Sequence, residues 1–261
     1  MPLPINIEKL ILNKTIESSR IEYKRSWNPE KVLHTICAFA NDYENLGGGY
    51  IIIGIEEENS RPREVVGVTD NDVNHMMKDL IRICNMMDPR YMPVCSEEYC
   101  NDTRLFVIWA PAGESRPYKC PISLGNERRT NEKGYFIRRV SSTIRATHEE
   151  EKDLISVSRL HTFDDSMNID ADISDIGLGL VQDYLDRVKS KMDTDSENKI
   201  QILKDMRLVR GPPEALKPLN VGLMMFNRRP DDFFPYAWID LVVMPDPTGD
   251  GMSERSFKGS L

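Results

Sequence analysis

The sequence predicts a domain that mixes helices and strands around one multi-stranded sheet, followed by a smaller segment of helices and strands. Three observations carry that reading. A well-marked helix runs through a glycine turn into an unbroken apolar, β-branched run at residues 50–55. Strand-like runs recur at 91–98, 104–110 and 135–140, and between the strands apolar residues repeat at helical spacing.

Taken in order, residues 5–14 read as a short helix with Ile5, Ile7, Leu10 and Ile11 on its packing side. In the strand that follows, Ile21 and Tyr23 alternate with Glu22 and Lys24, which puts an acid and a base on one face. Asn28 caps the next helix, and Pro29 suits its first position because the N–H it lacks would be unpaired there. Val32, Leu33, Ile36, Cys37, Phe39 and Ala40 form the buried side. Gly47, Gly48 and Gly49 then stop the pattern. They precede a strand and no G-K-[ST] follows, so they match neither the dinucleotide fingerprint nor the P-loop. Their expected role is to turn the chain and let helix and sheet backbones approach. Residues 50–55 read as a strand buried on both faces, which Glu56, Glu57 and Glu58 end in water.

Residues 59–62 read as a turn, and 64–68 as a strand forming a hairpin with 50–55. Asp70 is the expected cap of a helix over 71–84, with Val73, Met76, Met77, Leu80, Ile81 and Cys84 as core filler. The strands 91–98 and 104–110 join at Asn101-Asp102, and residues 111–134 are loop-rich. Residues 135–140 are the last strand, ending in the polar string Ser141-Ser142-Thr143. Thr147 with Glu150 forms a capping box for a helix to about residue 160, which closes a domain over 1–160.

Residues 161–173 are acidic and aperiodic and read as a linker. Over 174–261 the expectation is an incomplete second domain. Ser174 caps a helix to 189 with Ile176, Leu180, Val181, Tyr184, Leu185 and Val188 buried, and a second helix lies near 197–206. The apolar runs 221–226 and 236–244 read as paired strands, and the tail holds no closing core element. Two helices and two strands have little core of their own, so the chain reads as a truncated piece of a larger protein.

Composition narrows the function. The chain has 261 residues, 40% of them hydrophobic, and no run of about 18 apolar residues, so the class is globular, with a cytoplasmic location and no membrane partner expected. Five cysteines without a C-x-x-C pair argue for buried thiols over a disulfide framework or zinc ribbon, and four scattered histidines lack metal-ligand spacing. His34, inside the first capped helix, reads as a satisfied or surface imidazole. A net charge of −8 disfavours non-specific coating of nucleic acid. Yet Arg128, Arg129, Lys133, Arg138, Arg139 and Arg145 concentrate positive charge locally, as a confined anion-binding face would.

The order Glu17-x-x-x-x-Glu22-x-Lys24, an Ala38-Phe39-Ala40-Asn41 helix end, Gly48-Gly49 feeding the strand to Ile55, and Gly134-Tyr135-Phe136-Ile137-Arg138-Arg139 with Ser141-Ser142-Thr143 resembles the Schlafen/AlbA-like domain family over about residues 12–160. The resemblance implies an α+β fold with a curved, mostly antiparallel or mixed sheet flanked by helices, followed here by a smaller α/β segment. It also implies a nucleic-acid role. In bacteria such domains look like the front of transcriptional regulators, and the segment 220–259 is similar to the one that joins them to a GHKL-type ATPase and a winged helix. ATP binding would then belong to a part beyond Leu261. Some eukaryotic relatives are endoribonucleases using three acids, which fall here on Glu17, Glu22 and Glu56, the last standing where the family usually has Asp. Such acids would hold Mg2+ or Mn2+, with Lys24 stabilising developing charge. Glu17 lies an odd number of residues from Glu22, so on one regular strand the two would point apart; a turn or bulge at Ser18-Ser19 is needed to bring them together.

The leading expectation is a bacterial regulator fragment that binds DNA or RNA mainly through phosphates. Arg128, Arg129, Lys133, Arg138, Arg139 and Arg145 would be the cationic contacts, with Ser141, Ser142 and Thr143 adding hydroxyl donors. No helix has the face and punctuation of a base-reading element. Two alternatives stand beside it: a metal-dependent endoribonuclease built on Glu17, Glu22, Lys24 and Glu56, and a protein-interaction or homodimerisation platform without nucleic acid.

Overall fold

A computed structural model describes residues 3–13, 15–125, 132–158, 162–192, 199–245 and 251–260. The fold is α+β, with mostly antiparallel sheets, and divides into two compact units, residues 1–160 and 161–261.

The first unit is built on a four-stranded sheet. Its strands are β1 (Ile21–Lys24), β2 (Gly49–Ile53), β5 (Val94–Cys100) and β6 (Thr103–Ala110), in the order β1-β2-β6-β5. β1 runs parallel to β2, with Glu22 opposite Ile51, and the other pairings are antiparallel. Every residue of β2 is buried, which is why its sequence is continuously apolar instead of alternating. Ile51, Ile53, Phe106 and Ile108 pack under α2 (Pro29–Asn41) and α3 (Asp70–Cys84). On the other face Tyr50, Ile52, Leu105 and Val107 pack with Tyr23 of β1 and with Ile7, Leu10 and Ile11 of α1 (Ile7–Leu12). Each such side chain, fully buried, contributes about 1.5–3 kcal/mol before chain entropy is subtracted.

The glycines act as close-approach residues. A Cβ on Gly48 would come within 2.1 Å of the Ala110 carbonyl oxygen, and one on Gly49 within 2.4 Å of the Phe39 ring. Asp42 ends α2 in the left-handed conformation at φ 44, and its carboxylate accepts the N–H groups of Leu46 and Gly47 at 2.8 and 2.9 Å.

Several boundaries differ from the sequence reading. Gly54, at φ +103, turns the chain out of the sheet, so the predicted 50–55 strand is split. Ile55 opens β3 (Ile55–Glu58), and the hairpin with β4 (Arg61–Val65) is made by β3, not by β2. Glu56, Glu57 and Glu58 are therefore strand residues. Asn59 and Ser60, at φ 53 and φ 60, form the two-residue turn that suits this hairpin. Thr69, not Asp70, caps α3, in a box closed by Asp72. In the region read as loop, β7 (Lys119–Pro121) pairs with β8 (Lys133–Arg139), which pairs in turn with β9 (Ser142–Arg145). The polar string thus opens a strand instead of ending one. Thr147 and Glu150 form the expected capping box ahead of α4 (His148–Ser158).

In the second unit, residues 162–173 run beside its core, with Asn168 N–H donating to Pro218 O and Ala171 buried. A 3-10 turn at Ile173–Asp175 precedes α5 (Leu178–Arg187), whose N-cap is Gly177, not Ser174. α6 (Lys199–Asp205) and the pair β10 (Val209–Arg210) and β11 (Lys217–Pro218) follow. The predicted 221–226 strand is instead α7 (Asn220–Phe226). Asn220, Gly222, Leu223 and Phe226 are its buried residues, at helical spacing, and a Cβ on Gly222 would meet Leu208 O at 2.7 Å. β12 (Trp238–Val243) pairs with β13 (Ser253–Lys258) instead of with residues 221–226, and β13 is exposed along its whole length, so it adds no core element to the tail.

One side chain joins α2 to the β7–β8 layer. Asn41, 1% exposed, donates from Nδ2 to Tyr118 O and Phe136 O, both at 2.9 Å, and its Oδ1 accepts the Tyr118 N–H at 2.6 Å. Asn41→Ala would leave the Tyr118 N–H and the Phe136 carbonyl unpaired in the core, with the Cys37 thiol alone on Tyr118 O, and is expected to lower stability by about 2 kcal/mol or more. Urea unfolding of the two proteins measures this, as a lower midpoint at an unchanged slope.

Candidate nucleic-acid interface

β8 carries the Arg138-Arg139 pair, and strand alternation sends the two guanidinium groups to opposite sides. Arg138 turns inward and is 4% exposed. It donates to Glu22 Oε2 at 2.6 Å, to Thr143 Oγ1 at 3.0 Å and to Ser18 O at 2.8 Å, and lies 5.3 Å from the centre of the Phe39 ring. The other oxygen of Glu22 holds the Lys24 ammonium. Thr143 also meets Thr35 Oγ1 at 3.1 Å. Arg138 and Thr143, expected among the phosphate contacts, are thus tied up in a buried network joining β1, α2, β8 and β9.

The exposed members of the predicted set lie on or beside the β8–β9 hairpin. Arg139 lies over the Tyr43 ring at 4.6 Å and pairs with Glu150 at 3.0 Å and Glu44 at 3.9 Å. Arg145, half-exposed, pairs with Glu132 at 3.6 Å. Lys133 and Ser142 are exposed, and Ser141 at the turn is half-buried. Arg128 and Arg129 lie outside the described residues.

The three acids of the nuclease alternative are placed separately. Glu17 precedes a turn at 18–20 instead of sitting on β1, as the odd spacing requires, and its Oε1 accepts the Tyr23 N–H at 2.8 Å. Burial pushes the Glu17 carboxyl above the ordinary carboxylate range. The Tyr23 N–H opposes the rise, while the charges of Glu22 and Glu57 add to it. Glu56 instead pairs with Arg25. The acid that Glu17 senses beside Glu22 is therefore Glu57, which sequence reasoning passed over. Among the described residues no group of three His, Cys, Asp or Glu side chains is placed to hold a metal ion. Glu22 has both oxygens on cations and Glu56 is on Arg25, so the donor set does not fit a divalent ion.

Other polar residues have structural roles. His34 Nε2–H donates to Pro121 O, 3.0 Å away, and the ring stacks on Phe136; burial lowers its pKa. All five cysteines are free thiols, four of them buried, and burial pushes Cys84 up to about 12.

Arg138→Met would strand Glu22 in the interior with Lys24 alone, and is expected to cost about 3–5 kcal/mol; adding Glu22→Leu should recover most of it, because the pair is then replaced as a unit. A double-mutant cycle in urea measures the coupling. For Glu17 the sign follows from its raised folded pKa. The contribution of the proton is fully present below the unfolded value near 4.5 and is lost as pH rises through the folded value. Glu17→Gln should therefore gain stability relative to the parent as pH rises from about 4.5 to neutrality, read as diverging urea midpoints.

No curated protein matches the chain. The DIP2311 protein from Corynebacterium diphtheriae is similar at 15% identity over 84% of this chain and 39% of that one, with a TM-score of 0.39, so the chain spans 39% of that protein's length. The N-terminal domain of a RecG-related protein from Nitrosomonas europaea is similar at 24% identity over 56% of this chain and 94% of that one, with a TM-score of 0.37. The family model described as Schlafen, AlbA_2 matches residues 17–147, half of the chain. This protein belongs to the Schlafen AlbA_2 family.

Proposed function

We propose that the first unit binds DNA or RNA through its phosphates, as the nucleic-acid-binding part of a transcriptional regulator. The binding groups are Lys133, Arg139 and Arg145, with the hydroxyls of Ser141 and Ser142 beside them. The observation that carries this reading is the division of labour on β8: Arg138 is buried and fixes the hairpin, while Arg139 is held at the surface. The carboxylates that pair with Arg139 and Arg145 do so near water, where such pairs are worth about 0–1 kcal/mol. A phosphate oxygen can replace them at little cost, and guanidinium meets phosphate through two parallel hydrogen bonds. Family membership supports a nucleic-acid role, and the net charge of −8 confines it to a small footprint.

The test is the salt dependence of retention of labelled single-stranded RNA, transfer RNA and duplex DNA. Replacing Lys133, Arg139 and Arg145 together by Ala should weaken retention and flatten the slope of log K against log salt by about 0.7–0.9 for each phosphate no longer neutralised. An unchanged slope would overturn the assignment.

A further inference from the structure

We propose that a cleft in the first unit takes one unstacked nucleobase of a single strand, an inference that rests on the phosphate-binding function proposed above and adds a preference for single strands over duplex. The cleft has a volume of about 270 Å3. That is just below the roughly 300–1,000 Å3 of pockets that hold a drug-sized ligand, and suits one flat heterocycle. Its walls are apolar: Ile53 of β2 and Met76 of α3, both buried, with Trp27, Val66 and Val68 around them. Trp27 is anchored by its indole N–H, which donates to Asp79 Oδ2 at 2.8 Å.

The rim has a different chemistry. Ser26, His75 and Asp72 are exposed there, the Asp72 carboxylate accepting from the Thr69 hydroxyl, and Arg25 brings a largely exposed guanidinium. Apolar walls with polar groups confined to the rim match a ring that is apolar on its faces and carries donors and acceptors on its edge. Arg25 at the rim is placed to meet the phosphate next to a base turned into the cleft. In a duplex that base is paired and stacked, so the cleft gains nothing from it.

The test compares binding of a polyadenylate RNA strand with that of the same strand annealed to polyuridylate. The parent should hold the single strand about tenfold more tightly, the order that one stacked base supplies. Val66→Phe, which fills the cleft from an exposed wall, should abolish that preference and leave duplex binding unchanged. A preference retained in Val66→Phe would overturn the inference. If that variant does not fold, His75→Ala at the exposed rim should lower the preference by about threefold, the effect of one hydrogen bond, and no change there counts against the cleft. Adenosine 5′-monophosphate separates the two readings. Should neither polymer bind, the phosphate assignment falls, and the Trp27 indole NMR resonance alone decides: a shift on adding the mononucleotide upholds the cleft, and no shift overturns it.

Discussion

The buried pair between Glu22 and Arg138 is the constraint on which the site depends. Two charges taken out of water cost several kcal/mol each, and only close pairing with further hydrogen bonds offsets that. Here Lys24, Thr143 and the Ser18 carbonyl supply those partners. Because the partners come from β1, β9 and the turn before β1, satisfying the charges fixes the β8–β9 hairpin against the sheet. The hairpin's outward side chains are then presented from a rigid element, and the next residue along β8, Arg139, faces solvent. One alternation of the strand thus separates the residue that holds the structure from the residue available to a ligand.

The same network bears on the acidic residues. A carboxylate able to bind a divalent cation needs an open oxygen, and both oxygens of Glu22 are on cations. Glu17 spends an oxygen on the Tyr23 N–H, and Glu56 is on a different partner altogether. On the phosphate-binding function proposed above, these acids position strands and the surface cations meet phosphate.

Local features were readable from the sequence because local physics produces them. Asn28-Pro29 starts a helix, a run with no polar alternation is a strand buried on both faces, and Thr147 with Glu150 closes a capping box. Elements made only by pairing were not. β7, β9 and β13 are short, polar or proline-containing, and become strands because a neighbour offers its free backbone groups. The run 221–226 was read as a strand because a short apolar run does not distinguish strand from buried helix, and here packing on Leu208 and its surroundings decided for the helix. Within the site, Glu22 and Lys24 were placed on one face correctly, but the burial of Arg138 was missed. The signal was present: consecutive arginines on a strand cannot both face water when one side is covered. Which side was covered, and that Glu57 instead of Glu56 neighbours Glu17, depended on the bend at Gly54, a glycine that the reading of 50–55 as one strand passed over.

The central claim is that these acids are structural and the surface cations bind. The most direct measurement is incubation of labelled single-stranded RNA with the protein at low salt, with and without Mn2+, beside Glu22→Gln. The account predicts retention without cleavage in either condition. Cleavage that needs the metal and disappears in Glu22→Gln would contradict it.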